Sequence, residues 1–445
     1  MNNREIEERM DDIRKIIKHD AMFYHLKNRY IAGAGYTMAS NILVGLMNFV
    51  FNTYAATTLG PSGYGDLAAL FSWASLLTVP LGIANLVIVG RIGSHGKKGA
   101  QFASSLEPWA VRLVKRNWFI PAFLIACIPF IPYLTNLSYA SGYVLIPLVI
   151  LTCVTMLYDS IMQGMKLFAW FSIISVFVVA IKLSGALLSV FFPSSLIFIL
   201  VAISLSYVVR ALVSRKIIFR KLHPYSNRVR PLEKTVTDIL KNRQVVLTAV
   251  SFGMLVLVQH LPVVYIKYTL SPEDAGIFGA WMVMSNIALF VLGPLLSIGY
   301  IFFSSKKDPA FHTTAMNMSL FAVLIVGSGY VLSYVMFGNI LVHILFGSAF
   351  AGVNAYILEA ALYGTGTIAV ILFTNYYLAA GSRVVSIAAG FVILYGLALF
   401  LSADSLKDVI RISLFSIYMV LVIYATAYAG IARRVLQFWY AHSRT

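Results

Sequence analysis

The sequence predicts an all-α polytopic membrane protein: twelve transmembrane helices in two parallel-repeat six-helix lobes, with the N- and C-termini cytoplasmic. Three observations predict it. The first is composition. Of 445 residues, 60% are hydrophobic and 11% charged, against roughly 25% charged in an ordinary soluble protein. A water-soluble core cannot hide that much apolar surface, so the bilayer is the solvent. The second is an internal repeat. Thr58–Gly82 reads TLGPSGYGDLAALFSWASLLTVPLG, and Thr269–Gly293 reads TLSPEDAGIFGAWMVMSNIALFVLG. The pairs Thr58/Thr269, Pro61/Pro272, Gly65/Gly276, Ala69/Ala280 and Gly82/Gly293 align without a gap, and Tyr54 meets Tyr265 just upstream. Repeats of this kind make the chain two similar halves. The third is the distribution of lysine and arginine.

Residues 3–20 place Ile6, Met10, Ile13 and Ile17 on one stripe of an otherwise charged helix, as expected of an amphipathic segment lying on the membrane surface or on the protein's own inner loops. No apolar h-region accompanies it, so no cleavable signal peptide is expected. Hydropathy then marks spans at 31–57, 66–90, 118–136, 141–163, 167–191, 195–213, 245–268, 277–303, 314–337, 353–379, 384–401 and 409–431. Each is near the ~20 residues that a bilayer crossing needs. They are helices, because hydrocarbon offers no partner to a free backbone group.

With the N-terminus inside, the inner segments 1–30, 91–117, 164–166, 210–244, 304–313, 382–383 and 432–445 hold 30 of the 34 basic residues. Basic residues gather on cytoplasmic loops, so the formal net charge of +17 reports topology, and nucleic acid is not an expected partner. Lys182, Lys267, Lys407 and Arg411 are left over. The chain divides into a cytoplasmic helix at 1–30, a lobe at 31–213, a basic linker at 214–244, a second lobe at 245–432 and a tail at 433–445. Gln163–Lys166 and Ala380–Arg383 are similar inner turns. An even number of spans separates the copies, so the repeat is parallel and not inverted.

Motifs for enzymes are missing: there is no Walker loop, dinucleotide fingerprint or His/Cys cluster with metal spacing. No cofactor or metal is expected. Cys127 and Cys153 lie in apolar runs and read as small buried hydrophobes. Ionisable residues inside spans are the leads, because a charge in lipid is costly. Lys182 in the outer half of span five is the sharpest, as a cation facing a water-filled cavity; its structural alternative is a Lys paired with a carbonyl or carboxylate. Asn48 and Asn52, with Asn41 and Gly45, form a polar stripe on span one, read either as interhelical packing or as cavity lining. Arg91 and Arg383 anchor inner span ends and could meet a substrate phosphate. Asp159, expected to pair with Lys166 or another inner-loop cation, His260 beside Gln259, and Glu359 are candidates for ion coupling; for His260 a packing role competes.

The run LGPSGYGDLAALFSW, the Pro/Gly-broken helix after it (Pro80, Gly82), Arg91 at its inner end, SPEDAGIFGAW, ILFGSAFAG at 344–352 and NYYLAAGSR together resemble polysaccharide flippases. These belong to the multidrug/oligosaccharidyl-lipid/polysaccharide exporter superfamily, and the resemblance covers about residues 30–432. It implies two six-helix lobes around a V-shaped cavity, rocking between inward-open and outward-open states. It implies a polyprenyl-(pyro)phosphate-linked oligosaccharide as substrate, moved from the inner to the outer leaflet of the cell membrane. Membrane lipids and glycan-assembly enzymes are the further partners it suggests. The superfamily's drug/cation antiporters resemble this topology but carry a carboxylate in span one, where this chain has only asparagines. A small-molecule antiporter and a membrane enzyme or scaffold of glycan assembly are the alternative readings.

Overall fold

The structure, a computed structural model, describes residues 3–94, 96–128, 130–192, 195–222, 243–303 and 309–442. It is helical almost throughout, with no strand among the described residues. In chain order the helices are α1 (Asn3–Ser94), α2 (Gly96–Arg116), α3 (Phe119–Cys127), α4 (Phe130–Thr135), α5 (Tyr139–Gly164), α6 (Phe168–Leu188), α7 (Ser195–Leu222), α8 (Arg243–Thr269), α9 (Pro272–Phe303), α10 (Pro309–Phe346), α11 (Ile357–Ala379), α12 (Val384–Ser402) and α13 (Leu406–His442). Short 3₁₀ segments, Ser189–Phe191 and Ser348–Tyr356, precede α7 and α11.

Among the described residues, nine helices are long and apolar enough to cross a bilayer, and Lys98–Arg116 with Pro121–Thr135, bent by 73°, adds a tenth candidate. The chain is a multi-pass membrane protein. One of the nine, Ala39–Gly93, has 55 residues, more than twice the ~20 that one crossing needs. It breaks at Gly60, whose φ of 68° and ψ of 177° leave helical space. Glycine adopts this left-handed φ without a Cβ clash, and Pro61 follows with its fixed φ and missing N–H. The bend therefore separates the first expected span from the second.

Three expectations are corrected. Span 118–136 is not one helix but α3 followed by α4, in a stretch carrying Pro121 and Pro132, and prolines interrupt the backbone ladder. The segment 91–117, expected as a loop, is mostly the amphipathic α2, which ends on Lys115 and Arg116. The segment 338–352, also expected as a loop, is helical to Phe346 and turns at Gly347, φ 78°. The helix expected at 3–20 is continuous with α1, but the side chains of its stripe lie outside the described residues. Of the 214–244 linker, 214–222 extend α7 and 223–242 lie outside the described residues.

The repeat is visible as paired contacts. Tyr54 donates its hydroxyl to Leu187 O (3.4 Å) at the end of α6, and Tyr265 donates to Ala403 O (2.6 Å) at the end of α12. The repeated tyrosines thus tie equivalent helices in each half. The principal contacts between halves are those of α1 with α8, α9, α10 and Ser348–Tyr356, and of α4 with α8.

Burial is distributed unevenly along the membrane axis. One core cluster joins both halves, and from the N-terminal half it takes Phe51, Ala55, Leu67, Leu70, Leu145 and Ile199, all toward the Gly60 end. A second cluster, with Ile92, Leu106, Ile161, Met162 and Ile218, belongs to the N-terminal half alone, at the Arg91 end. The N-terminal half thus joins the shared core at the Gly60 end and has a core of its own at the Arg91 end.

Candidate functional site: a sealed seam and a lysine beneath it

The two copies of the repeated turn pack directly on each other. A Cβ on Gly276 would lie 1.8 Å from Pro61 O, and one on Gly65 would lie 2.7 Å from Pro272 O. Both distances are below any tolerable contact, so backbone touches backbone and only glycine fits. Around this contact, Tyr64 stacks edge-on against Phe350 of the other half, with ring centroids 6.1 Å apart. Gly279 leaves room for Tyr64 and for the Ala68 methyl, which would be 3.2 Å from a Cβ there.

From this point α1 and α8 run antiparallel down the seam. Lys267 pairs with Asp66 (Nζ–Oδ1 2.5 Å). Ser72 meets His260 (Oγ···Nδ1 3.2 Å). Gly253 faces Val79, and Gly82 accommodates the Phe252 ring. Positions rise from 66 to 82 on one helix as they fall from 267 to 252 on the other, which covers about 24 Å at ~1.5 Å per residue. Lys267 is 2% exposed and its carboxylate partner 22%. A buried ammonium of this kind is tolerated only with its counter-charge. One of the four cations left over in the charge count, Lys267, is therefore accounted for by Asp66, which the sequence reading passed over. A signal was present: the alignment of the copies places both residues beside the repeated turns, with opposite charge.

Lys182 lies in the N-terminal half. Its ammonium donates to Asn48 Oδ1 (3.0 Å) and sits 3.8 Å from the Phe51 ring centroid and 5.0 Å from that of Phe71. Aromatic faces attract a cation by roughly 0.5–2 kcal/mol each, more when water is excluded. No described carboxylate pairs with it. Asn52 donates to Asn48 O (2.8 Å) and accepts from the Tyr64 hydroxyl (3.3 Å). The structure thus brings Lys182, Asn48 and Asn52 together and continues them, through Tyr64, to the seam. Thr78, one turn beyond Ala74 on α1, satisfies its hydroxyl on Ala74 O (2.8 Å) and plays no part in the group.

The remaining candidates stand apart from this group. Asp159 is held by Arg210, with Nη2–Oδ2 at 2.9 Å and Nε donating at 3.0 Å, and Arg210 also reaches Ser175 Oγ at 3.3 Å. Of the two expected partners, Lys166 or another inner-segment cation, the structure gives the second, Arg210 of α7, and the pair bridges α5 to α7. Arg91 lies at the far end of α1 with its guanidinium 5.4 Å from the Phe102 ring. Glu359 sits half-buried in the first turn of α11, where a carboxylate is favoured by the helix dipole. Arg383 precedes α12 and lines a recess with Arg243. No group of three His, Cys, Asp or Glu among the described residues could hold a metal ion.

Comparison with known proteins places this architecture. The chain is similar to a solved structure described as the inward-facing conformation of a multidrug resistance MATE family transporter of the MOP superfamily, at 11% identity and TM-score 0.71, over 90% of this chain and 99% of that one. It is similar to a MATE in the straight conformation, at 12% identity and TM-score 0.61, over 92% and 97%. It is similar to the eukaryotic MATE transporter AtDTX14, at 14% identity and TM-score 0.58, over 91% and 98%. At these identities the likeness is one of fold. No curated protein sequence matches the chain. The family described as polysaccharide biosynthesis protein matches residues 30–302, more than half of the sequence. On that match, the chain belongs to the polysaccharide biosynthesis protein family.

Proposed function

We propose that this protein is a flippase, which moves an anionic polyprenyl-(pyro)phosphate-linked oligosaccharide from the inner to the outer leaflet by alternating access. In this reading the twelve spans and cytoplasmic termini expected from charge hold, the Gly60 end is outer, and the structure is the outward-closed state. The observation that carries the reading is the seam. The repeated turns close the outer end backbone to backbone, whereas the N-terminal half keeps its own core at the inner end. In this reading the molecule opens by rocking of the halves about the seam, as alternating access requires.

The substrate class is supported by the family match and by the chemistry beneath the seal. The N-terminal half places an ammonium there and no span-one carboxylate, which suits an anion. When the seam parts, Tyr64 leaves Phe350, and its hydroxyl no longer holds Asn52 in place. The Lys182 ammonium, held by Asn48 Oδ1 and the Phe51 ring, then meets the diphosphate as the cavity opens.

A second reading is a cation-coupled small-molecule antiporter, favoured by the MATE descriptions of the similar folds. The two separate in one experiment. Purified protein in liposomes is given a fluorescent lipid-linked oligosaccharide, with and without proton or sodium gradients, and in parallel a cationic dye. Movement of the glycan lipid between leaflets supports the flippase. Gradient-driven dye transport without glycan movement overturns it in favour of the antiporter.

A further inference from the structure

The arginines at the inner end of the C-terminal half belong to a larger feature. Between α8 and α12 runs a groove of about 400 Å³, lined by Gly253, Leu257 and Leu261 on one side and Ala389, Gly396 and Phe400 on the other. Toward the Arg91 end the same two helices bound a recess of about 580 Å³, lined by Arg243, Val246, Leu247, Arg383 and Ser386. Recess and groove follow one another along the same helix pair. From Arg243 to Leu261 the distance along α8 is about 27 Å at ~1.5 Å per residue. That is close to the ~30 Å of a hydrocarbon core.

Chemistry changes along this length. The long wall is apolar, and Leu397 and Phe400 remain 52% and 59% exposed. Its inner mouth is cationic. Arg243 donates one Nη2 bond to Gly381 O at 3.2 Å, which leaves other guanidinium donors available. No ion pair joins Arg243 or Arg383 to a described carboxylate. Arg383 also stands at the N-cap of α12, where unpaired N–H groups and the helix dipole add to the positive potential. Guanidinium forks match phosphate oxygens.

We infer that this groove is a loading site for the substrate's lipid carrier, with a diphosphate held by Arg243 and Arg383 and one polyprenyl chain lying between α8 and α12. A single groove suits a single chain; a two-chain phospholipid would leave one chain unhoused. The assignment rests on the flippase reading for the identity of the carrier. It adds a site separate from Lys182, at the leaflet where the substrate is received. The sugar head would stand at the inner mouth while the chain stays at membrane depth throughout.

The test uses the full-length protein in nanodiscs of zwitterionic lipid and a photoreactive long-chain polyprenyl diphosphate without glycan. The expected result is saturable labelling of α8 and α12. Arg243→Gln and Arg383→Gln should each weaken binding about tenfold, as loss of a charge-assisted contact does. Ala389→Phe, which narrows the groove about 9 Å along α12 from Arg383, should reduce labelling of α12, and phosphatidylglycerol at equal concentration should compete poorly. Unchanged binding in the double arginine variant and in Ala389→Phe overturns the site. So does equal competition by phosphatidylglycerol, which would make the groove part of an ordinary lipid annulus. Translocation by the wild-type protein, measured alongside, separates the two readings. Normal flipping by wild type with unaltered binding by the variants removes the groove and leaves the flippase. Arginine-dependent binding without any flipping does the reverse.

Discussion

Lys182 is held by one amide oxygen and two phenyl rings, an arrangement that stabilises the ammonium without cancelling its charge. A carboxylate partner would have closed the site to an anion. Lys182→Ala should therefore lower glycan-lipid translocation by about tenfold or more, the scale of losing a desolvated charge contact, with the amount of folded protein unchanged on size-exclusion chromatography. Normal translocation by the variant would return Lys182 to a packing role. Lys267 is the contrasting case, since its charge is cancelled by Asp66 across the seam. Breaking a buried pair from one side costs roughly 3–5 kcal/mol, and partial exposure of Asp66 puts Asp66→Asn toward the lower figure. Thermal unfolding should show Asp66→Asn and Lys267→Met each destabilised and the double variant recovering much of the loss; additive losses in that cycle would deny the coupling. Lys182 was legible as a cation within a span from the sequence alone, because no other charge interrupts span five. Its amide and aromatic partners were not, since Phe51 and Phe71 look like any apolar residues of a span.

At the level of elements, the repeated Gly/Pro turn decides how the halves meet. Its position before an apolar helix, and its recurrence at Thr269–Gly293, could be read directly. What could not be read is that one copy packs on the other, because pairing between distant turns is a tertiary fact. The break of span 118–136 into α3 and α4 was missed for a related reason: hydropathy averages over prolines that the backbone cannot ignore. The partner of Asp159 is Arg210 of α7, from the inner segment 210–244, as the expectation of Lys166 or another inner-loop cation allowed. The turn contact makes a sharp forecast. Even a methyl on Gly276 would collide with Pro61 O, so Gly276→Ala should hold the outer end apart. Spin labels on the outer turns of each half should report a longer distance in Gly276→Ala than in wild type. An unchanged distance distribution would mean that the seal tolerates a side chain.

For the whole molecule, one core joins both halves and takes its N-terminal-half residues from the Gly60 end, while a second cluster at the Arg91 end belongs to the N-terminal half alone. The helical membrane fold was legible, because composition required the bilayer, and the sequence repeat pointed to the two turns that pack on each other. The account stands on the claim that the seam must open for substrate to pass. Ala68 and Gly279 face each other across it, with 3.2 Å between the Ala68 Cβ and an ideal Cβ at Gly279, a little short of the ~3.5–4.5 Å spanned in disulfides. With Cys127 and Cys153 replaced by Ala, the Ala68→Cys/Gly279→Cys protein can be oxidised in liposomes and its glycan-lipid translocation measured before and after reduction. The account predicts that oxidation abolishes translocation and that reduction restores it. Equal translocation by the oxidised, fully cross-linked protein would contradict it.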